Sequence, residues 1–334
     1  MVTAPNTAVA VPFTRSIDPT FDVADGVVGL RSVMVNVYFI SLPDRDGVGR
    51  WVLVDSGLPI SAHAIRATAA KLFGEGMAPE AILLTHGHFD HTGVLKTLAD
   101  EWDVPVYAHP LEAPFLNGRA SYAPPDPWVG GAMALTSPLY PRGPVDVRDR
   151  LQPLPADGSV PHLSEWRWIH TPGHSPGHVS FYRERAGVLI AGDAFVTTRQ
   201  EYLSTVLAQT QAVFGPPRYF THDWQAAEDS VKRLAALSPE IAATGHGTPM
   251  RGETLRDQLN ALAADFSREV PVGGRYAQQP VVYDENGPER IPEAKPVPTV
   301  VYAVGAGLAI GVIAATAAVL ISEANKRDDI DKGA

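Results

Sequence analysis

An α/β fold is predicted for this chain by three features of its sequence. Short runs rich in Val, Ile and Leu alternate with longer amphipathic stretches of helical period. Several apolar runs stop on a His or an Asp, so metal-type ligands recur at strand ends, where a rigid sheet places side chains accurately. Glycines flank those ligands, as tight turns and close backbone approach require. The 334 residues suffice for one large domain or two ordinary ones, and an apolar fraction of 45% suffices for a core.

Taken in order, Val27 to Val54 reads as a run of strands. Val33 to Ile40 is rich in Val, Tyr and Ile, the segment from Pro43 to Gly47 supplies turn chemistry, and Trp51 to Val54 closes a hairpin that ends on Asp55-Ser56-Gly57. Ser61 to Phe73 is expected as an amphipathic helix capped by Ser61 and stopped by Gly74. The strand Ala81 to Leu84 runs directly into Thr85-His86-Gly87-His88-Phe89-Asp90-His91, a strand-to-helix loop that packs three imidazoles and one carboxylate into six positions. Thr92 to Trp102 is the next helix, and Val104 to Ala108 a short strand ending at His109. From His109 to Trp166 the chain is studded with Pro and Gly, and is expected to form a lid carrying Tyr122, Trp128, Met133 and Tyr140. Strands are predicted at 166–169, 177–183 and 187–192, helices at 201–213 and 224–237, a strand at 241–244 and a last helix at 252–266.

Composition narrows the function. A formal net charge of −10 without long acidic blocks favours solubility and argues against a nucleic-acid partner, which would need a basic face. With no cysteine there is no disulfide framework and no thiolate nucleophile, so any metal is held by His, Asp or Glu. Residues 1–16 lack the cationic start and apolar core of a signal peptide. Thr299 to Ile321 carries no charge and is long enough to span a bilayer, so a membrane anchor is expected there. The small-xxx-small spacing of Gly307 and Gly311 would let two such helices approach closely, as in a homodimer.

The ligand-type residues are His86, His88, Asp90, His91, His174 within Thr171-Pro-Gly-His-Ser-Pro-Gly-His178, Asp193, and His246 within Gly245-His-Gly247. Five imidazoles and two carboxylates suit a borderline-soft divalent ion such as Zn²⁺, and exceed what one four-coordinate ion can use. Two ions are implied. Such a pair lowers the pKa of a water and clamps the attacked and leaving oxygens, which is hydrolytic equipment. His178 reads as a structural histidine, as do His109 and His222.

Together with Val54-Asp-Ser-Gly57 upstream, these motifs resemble the metallo-β-lactamase superfamily in its hydrolase and glyoxalase II-like branch, over about Val27 to Arg251. The resemblance implies a four-layer αβ/βα sandwich with a binuclear site along one edge. It assigns His86, His88 and His174 to a first metal, Asp90, His91 and His246 to a second, and Asp193 to a bridge between them. Asp55 takes the position that orients a ligand His, and Asp90 that of a proton acceptor and donor. Zinc is the expected metal, with iron or manganese as alternatives.

The implied layout is an N-terminal extension (1–20), a hydrolase domain (21–270), a Pro-rich linker (271–298), the apolar helix (299–321) and a polar tail (322–334), with the catalytic domain in the cytoplasm. The chain lacks the Cys ligand of many zinc β-lactamases, the Tyr that follows the bridging Asp in lactone hydrolases, and the basic C-terminal region of glyoxalase II, since 254–269 holds only Arg256 and Arg268. A binuclear hydrolase of a small ester, thioester or lactone is therefore the expectation, with its pocket walled by aromatic residues of 110–165 and 195–224. An iron-dependent redox enzyme of the persulfide dioxygenase kind, or a membrane-tethered lactonase, are the alternatives.

Overall fold

A computed structural model describes residues 19–43 and 49–296 of the chain. Its first sheet follows the chain: β1 (Thr20–Ala24), β2 (Val27–Ser32), β3 (Val35–Ser41), β4 (Trp51–Val54), β5 (Ile82–Leu83), β6 (Val106–Ala108) and β7 (Leu151–Pro153). Neighbours are antiparallel as far as β4 and parallel beyond it. The second sheet is also laid out in chain order, from β8 (Ser159–Val160) through β9 (Leu163–His170), β10 (Val179–Arg183), β11 (Val188–Gly192) and β12 (Ile241–Thr244) to β13 (Met250–Arg251). There only β11 and β12 run parallel.

Parallel neighbours need crossover connections. Helix α1 (Ala62–Phe73) joins β4 to β5, and α2 (Leu95–Trp102) joins β5 to β6. The short helices α3 (Ala113–Leu116) and α4 (Ala132–Thr136) lie between β6 and β7. Helices α5 (Leu203–Ala208) and α6 (Trp224–Ala236) connect β11 to β12, and α7 (Gly252–Ala264) follows β13.

The period of two along each strand sets the layers. Tyr38, Ile40, Val52, Val54 and Leu83 of the first sheet face Val179, Phe181, Val188, Ile190 and Ala243 of the second, forming the core between the sheets. The alternate residues Val37, Phe39, Trp51, Leu53 and Ile82 pack on Ile65 and Ala69 of α1 and on Leu95 and Leu98 of α2. Leu189, Ala191 and Ala242 pack on Val231 and Leu234 of α6 and on Leu255 and Leu259 of α7. Helix, sheet, sheet and helix form the four-layer αβ/βα sandwich that the resemblance implies.

Several expected boundaries move. Ser61 does not cap α1: its hydroxyl is bonded to that of Ser32 at 2.6 Å. Helix α2 begins at Leu95 and not at Thr92, because the chain from His88 to Gly93 is spent on turns, with His91 and Thr92 N–H both donating to the His88 carbonyl. The 201–213 helix shrinks to α5. The stretch from His109 to Trp166 is not an open loop, since it carries α3, α4, β7, β8 and part of β9.

The expected linker is likewise folded as far as residue 296. Its hairpin of β14 (Val282–Asp284) and β15 (Gly287–Arg290) accompanies burial of Tyr276 and Val281 in the core beneath α6 and α7. Among the described residues no helix is long and apolar enough to cross a membrane. The candidate span Thr299 to Ile321 lies outside the described residues, as do the polar tail and residues 1–18 of the extension.

Candidate metal centre

Four loops deliver the predicted ligands. The His86 to His91 loop follows β5, His174 sits between β9 and β10, Asp193 comes directly after β11, and His246 two residues after β12. The first sheet thus supplies one loop and the second sheet three.

Their side chains converge. The ligand atoms of His86, His88 and His174 lie within 4.8 Å of one another, as do those of His86, His91 and Asp193 and those of Asp90, His91 and His246. All seven residues are buried, and Asp90, at 8% exposed, is the most accessible. Asp193 Oδ2 lies 3.2 Å from His246 Nε2, 3.4 Å from His174 Nε2 and 3.7 Å from His91 Nε2, so this carboxylate touches both groups of imidazoles. Asp90 Oδ2 is 3.4 Å from His246 Nε2 and 4.0 Å from His91 Nε2.

The outer ring nitrogens fix the tautomers. His91 Nδ1 donates to Asp55 Oδ2 at 2.8 Å, and His246 Nδ1 to the Met34 carbonyl at 2.8 Å. The Thr85 hydroxyl gives its proton to Asp55 Oδ2 at 2.8 Å and so accepts from His86 Nδ1 at 3.1 Å. In the neutral ring each Nε2 then turns a lone pair inward. His86 Nε2, His91 Nε2 and Asp193 Oδ1 are buried with no hydrogen-bond partner, and His88 Nδ1 faces His174 Nε2 at 2.9 Å. Converging lone pairs and a bare carboxylate oxygen in a buried site are a donor set for cations.

Charge divides this cluster. Burial, reinforced by neighbouring imidazoles, pushes His86 well below its ordinary pKa, and burial does the same to His88 and His174. Burial also disfavours charge on His91 and His246, but the carboxylates outweigh it. Asp55, Asp193 and Asp90 hold His91 well above its ordinary value, and Asp193 with Asp90 raises His246 to about 10. Burial opposes ionisation of Asp193, which His246 and His91 nevertheless pull well down.

Other residues hold the ligands. Gly245 leaves room for Asp193, since a Cβ there would sit 2.0 Å from Asp193 Oδ1. The Asp193 N–H donates to His178 Nε2 at 2.9 Å, while His178 Nδ1 meets the Thr171 hydroxyl at 2.8 Å. Burial drives His178 down to about 3, so its ring stays neutral and Nε2 remains an acceptor. His178 therefore stands behind Asp193. His109 stacks on His170 at 4.2 Å, and His222 meets the Tyr283 hydroxyl at 2.6 Å; neither belongs to a ligand group, although the His222 ring lies 6.3 Å from that of His88.

Three contributors escaped the sequence reading. Asn36 holds the His246 loop, with Nδ2 donating to the Thr244 and Gly247 carbonyls at 2.9 and 2.8 Å. Glu112 is fully buried beside Gly87. Tyr122, assigned to the lid, lies beneath the site instead, its ring 4.4 Å from His88. Of the other lid residues, Trp128 is 39% exposed, whereas Met133 and Tyr140 join Val129, Tyr219 and Phe220 in an apolar cluster that includes Phe89 and Met34. Phe220 stacks on His88 at 4.7 Å.

Comparison with known proteins agrees with this geometry. The family model described as Metallo-beta-lactamase superfamily matches residues 30–246, a span holding all seven candidate ligands. A probable metallo-hydrolase of Bacillus subtilis (strain 168), YflN, is 48% identical over 248 residues, covering 74% of this chain and 93% of that one. A second from the same organism, YybB, is 30% identical over 215 residues, covering 64% and 81%. The crystal structure of a beta-lactamase domain protein from Burkholderia ambifaria has a TM-score of 0.54 at 23% identity, over 77% of this chain and 75% of that one. At that identity the likeness speaks for the fold.

Proposed function

The chain belongs to the metallo-beta-lactamase superfamily and is a metal-dependent hydrolase; on that footing we propose that it is binuclear and cleaves a small ester, thioester or lactone. The observation that carries the reading is the set of three overlapping, buried ligand groups, too many for one ion and joined through His86 and His91. His86, His88 and His174 would hold one ion, Asp90, His91 and His246 the other, with Asp193 shared. Zinc suits this all-nitrogen-and-oxygen set, which iron or manganese would also fit.

When bound, a pair of divalent ions supplies a water of lowered pKa and Lewis-acid polarisation of a carbonyl. The protein's own residues do the rest. Asp90, the most accessible of the seven at 8% exposed, would take a proton and return it to the leaving group. Asp55 keeps the His91 lone pair turned inward, with Oδ1 and Oδ2 also receiving the Thr85 N–H and hydroxyl at 2.8 Å each. The apolar cluster of Met34, Phe89, Met133, Tyr140 and Phe220, which reaches the site where Phe220 stacks on His88, would suit an uncharged acyl group.

A hydrolase screen over aryl esters, thioesters and lactones, run on protein purified without added metal and with metal content measured, tests this reading. About two equivalents of zinc with turnover of one class supports it. Stoichiometric iron with sulfur-dependent oxygen uptake would replace it with the redox alternative. The apolar Thr299 to Ile321 run supports tethering of the domain to a membrane, which protease protection of a C-terminal epitope in closed vesicles tests.

A further inference from the structure

We propose that Glu112 is a positioning residue that locks together the two loops carrying His86, His88 and His174. The proposal rests on reading those three histidines as ligands of one ion.

The carboxylate is fully buried and is met by donors from both loops. Oε2 accepts the Gly87 N–H at 2.9 Å and the Tyr122 hydroxyl proton, and that N–H is shared with the Tyr122 oxygen at 3.0 Å. Oε1 accepts the Gly177 N–H at 2.7 Å and the Ser175 hydroxyl at 2.8 Å. Gly87 lies between His86 and His88, and Ser175 follows His174. One carboxylate therefore ties the backbones on either side of the place where His88 Nδ1 and His174 Nε2 come within 2.9 Å.

The two glycines give a second, independent observation. A Cβ on Gly87 would stand 2.6 Å from the Tyr122 hydroxyl and 3.3 Å from Glu112 Oε2, and one on Gly177 would stand 2.8 Å from Glu112 Cγ. Both loops are kept bare where the carboxylate enters. Sequence alone assigned Gly87 to a tight turn and Gly177 to the start of a strand. Their positions show that they also clear a slot for Glu112.

The geometry makes Glu112→Gln a sharp test. Each oxygen receives one hydroxyl, which can turn round, and one backbone N–H, which cannot. Whichever way the amide is set, its NH₂ faces a backbone N–H. The measurement is metal affinity: titration of metal-free protein with cobalt(II), followed by absorption, and with zinc against a competing chelator. We expect one of two equivalents to weaken by about ten- to a hundredfold, a usual cost of disturbing the support of a metal ligand, with the other within about twofold. The buried mismatch also lowers the stability of the metal-free fold, so it is the selectivity between the two equivalents that carries the test.

Gly177→Ala should reproduce the selective loss from the opposite side, and combining it with Glu112→Gln should add little. If Glu112→Gln does not fold, Ser175→Ala removes a single donor and should weaken the same equivalent by about fivefold. Two equivalents bound at parental affinity by the folded variants would overturn the proposal. So would equal loss of both, since that marks a general structural role. Parent protein that takes up no metal would instead defeat the metal-centre reading itself.

Discussion

Asp55 shows how much one side chain settles. Its backbone sits in the left-handed region at φ 61°, a conformation that Asp tolerates better than most residues, and this turns the carboxylate back towards Thr85 and His91. Asp55→Ala should weaken metal binding and turnover by about 10- to 100-fold through misorientation of His91, read by metal titration and steady-state kinetics. His88→Ala removes an imidazole from the first group and should abolish turnover on any substrate found; retained activity would defeat the assignment. The titrations have a definite sign. In metal-free protein the raised His246 contributes stability in full below its unfolded value of about 6.5 and loses it as pH rises towards 10. Metal needs the neutral ring, so loading near pH 7 should release about two protons per chain, from His91 and His246, and affinity should rise with pH across that window. Proton release into weak buffer, followed with an indicator dye, gives the count. The seven candidate ligands stood out in the sequence because four fall within six positions and the others sit beside glycines at strand ends. Glu112 and Asn36 did not. Each is a single polar residue in apolar surroundings, and its meaning arises only when folding brings distant carbonyls or N–H groups to it.

Among the elements, β3 does more than fill a layer. Asn36 and Tyr38 on it reach the chain at the end of β12, where Asn36 Nδ2 holds two carbonyls, Asn36 N–H meets the Gly245 carbonyl at 2.8 Å, and the Tyr38 hydroxyl meets Thr244 at 2.5 Å. Asn36→Ala removes one of two donors from each carbonyl, Thr244 keeping the Tyr38 hydroxyl and Gly247 the Arg31 guanidinium at 3.2 Å, and should cost about 0.5–1.5 kcal/mol of stability for each bond lost and loosen His246. Thermal melting with and without zinc measures both effects: a smaller metal-induced shift than in the parent shows that the latch serves the site. The strands and the long amphipathic helices were readable because their periodicity records which face is buried. The region from 110 to 165 and the helix near 203 were not, since their short turns are held by contacts with distant elements and carry no period of their own.

For the whole molecule, the folded end of the expected linker changes where the domain stops. Tyr276 and Val281 pack beneath α6 and α7, and Tyr283 bonds His222. Ending the chain after residue 270 should lower the melting temperature, since each large side chain lost from a core costs about 1.5–3 kcal/mol. Ending it after residue 296 should leave melting unchanged, and should release the protein from membranes if the apolar run is a tether. Scanning calorimetry and flotation with vesicles separate the two truncations.

The division of ligands between the sheets has a further consequence. Among the described residues the backbone passes from one sheet to the other only between Pro153 and Ser159, so a nick there divides the ligand-type residues between two fragments. One carries His86, His88, Asp90 and His91, the other His174, Asp193 and His246. Neither fragment owns a complete donor set. The ions would then act as mortar between two bricks, and reassembly of the nicked pair would become a switch thrown by divalent metal.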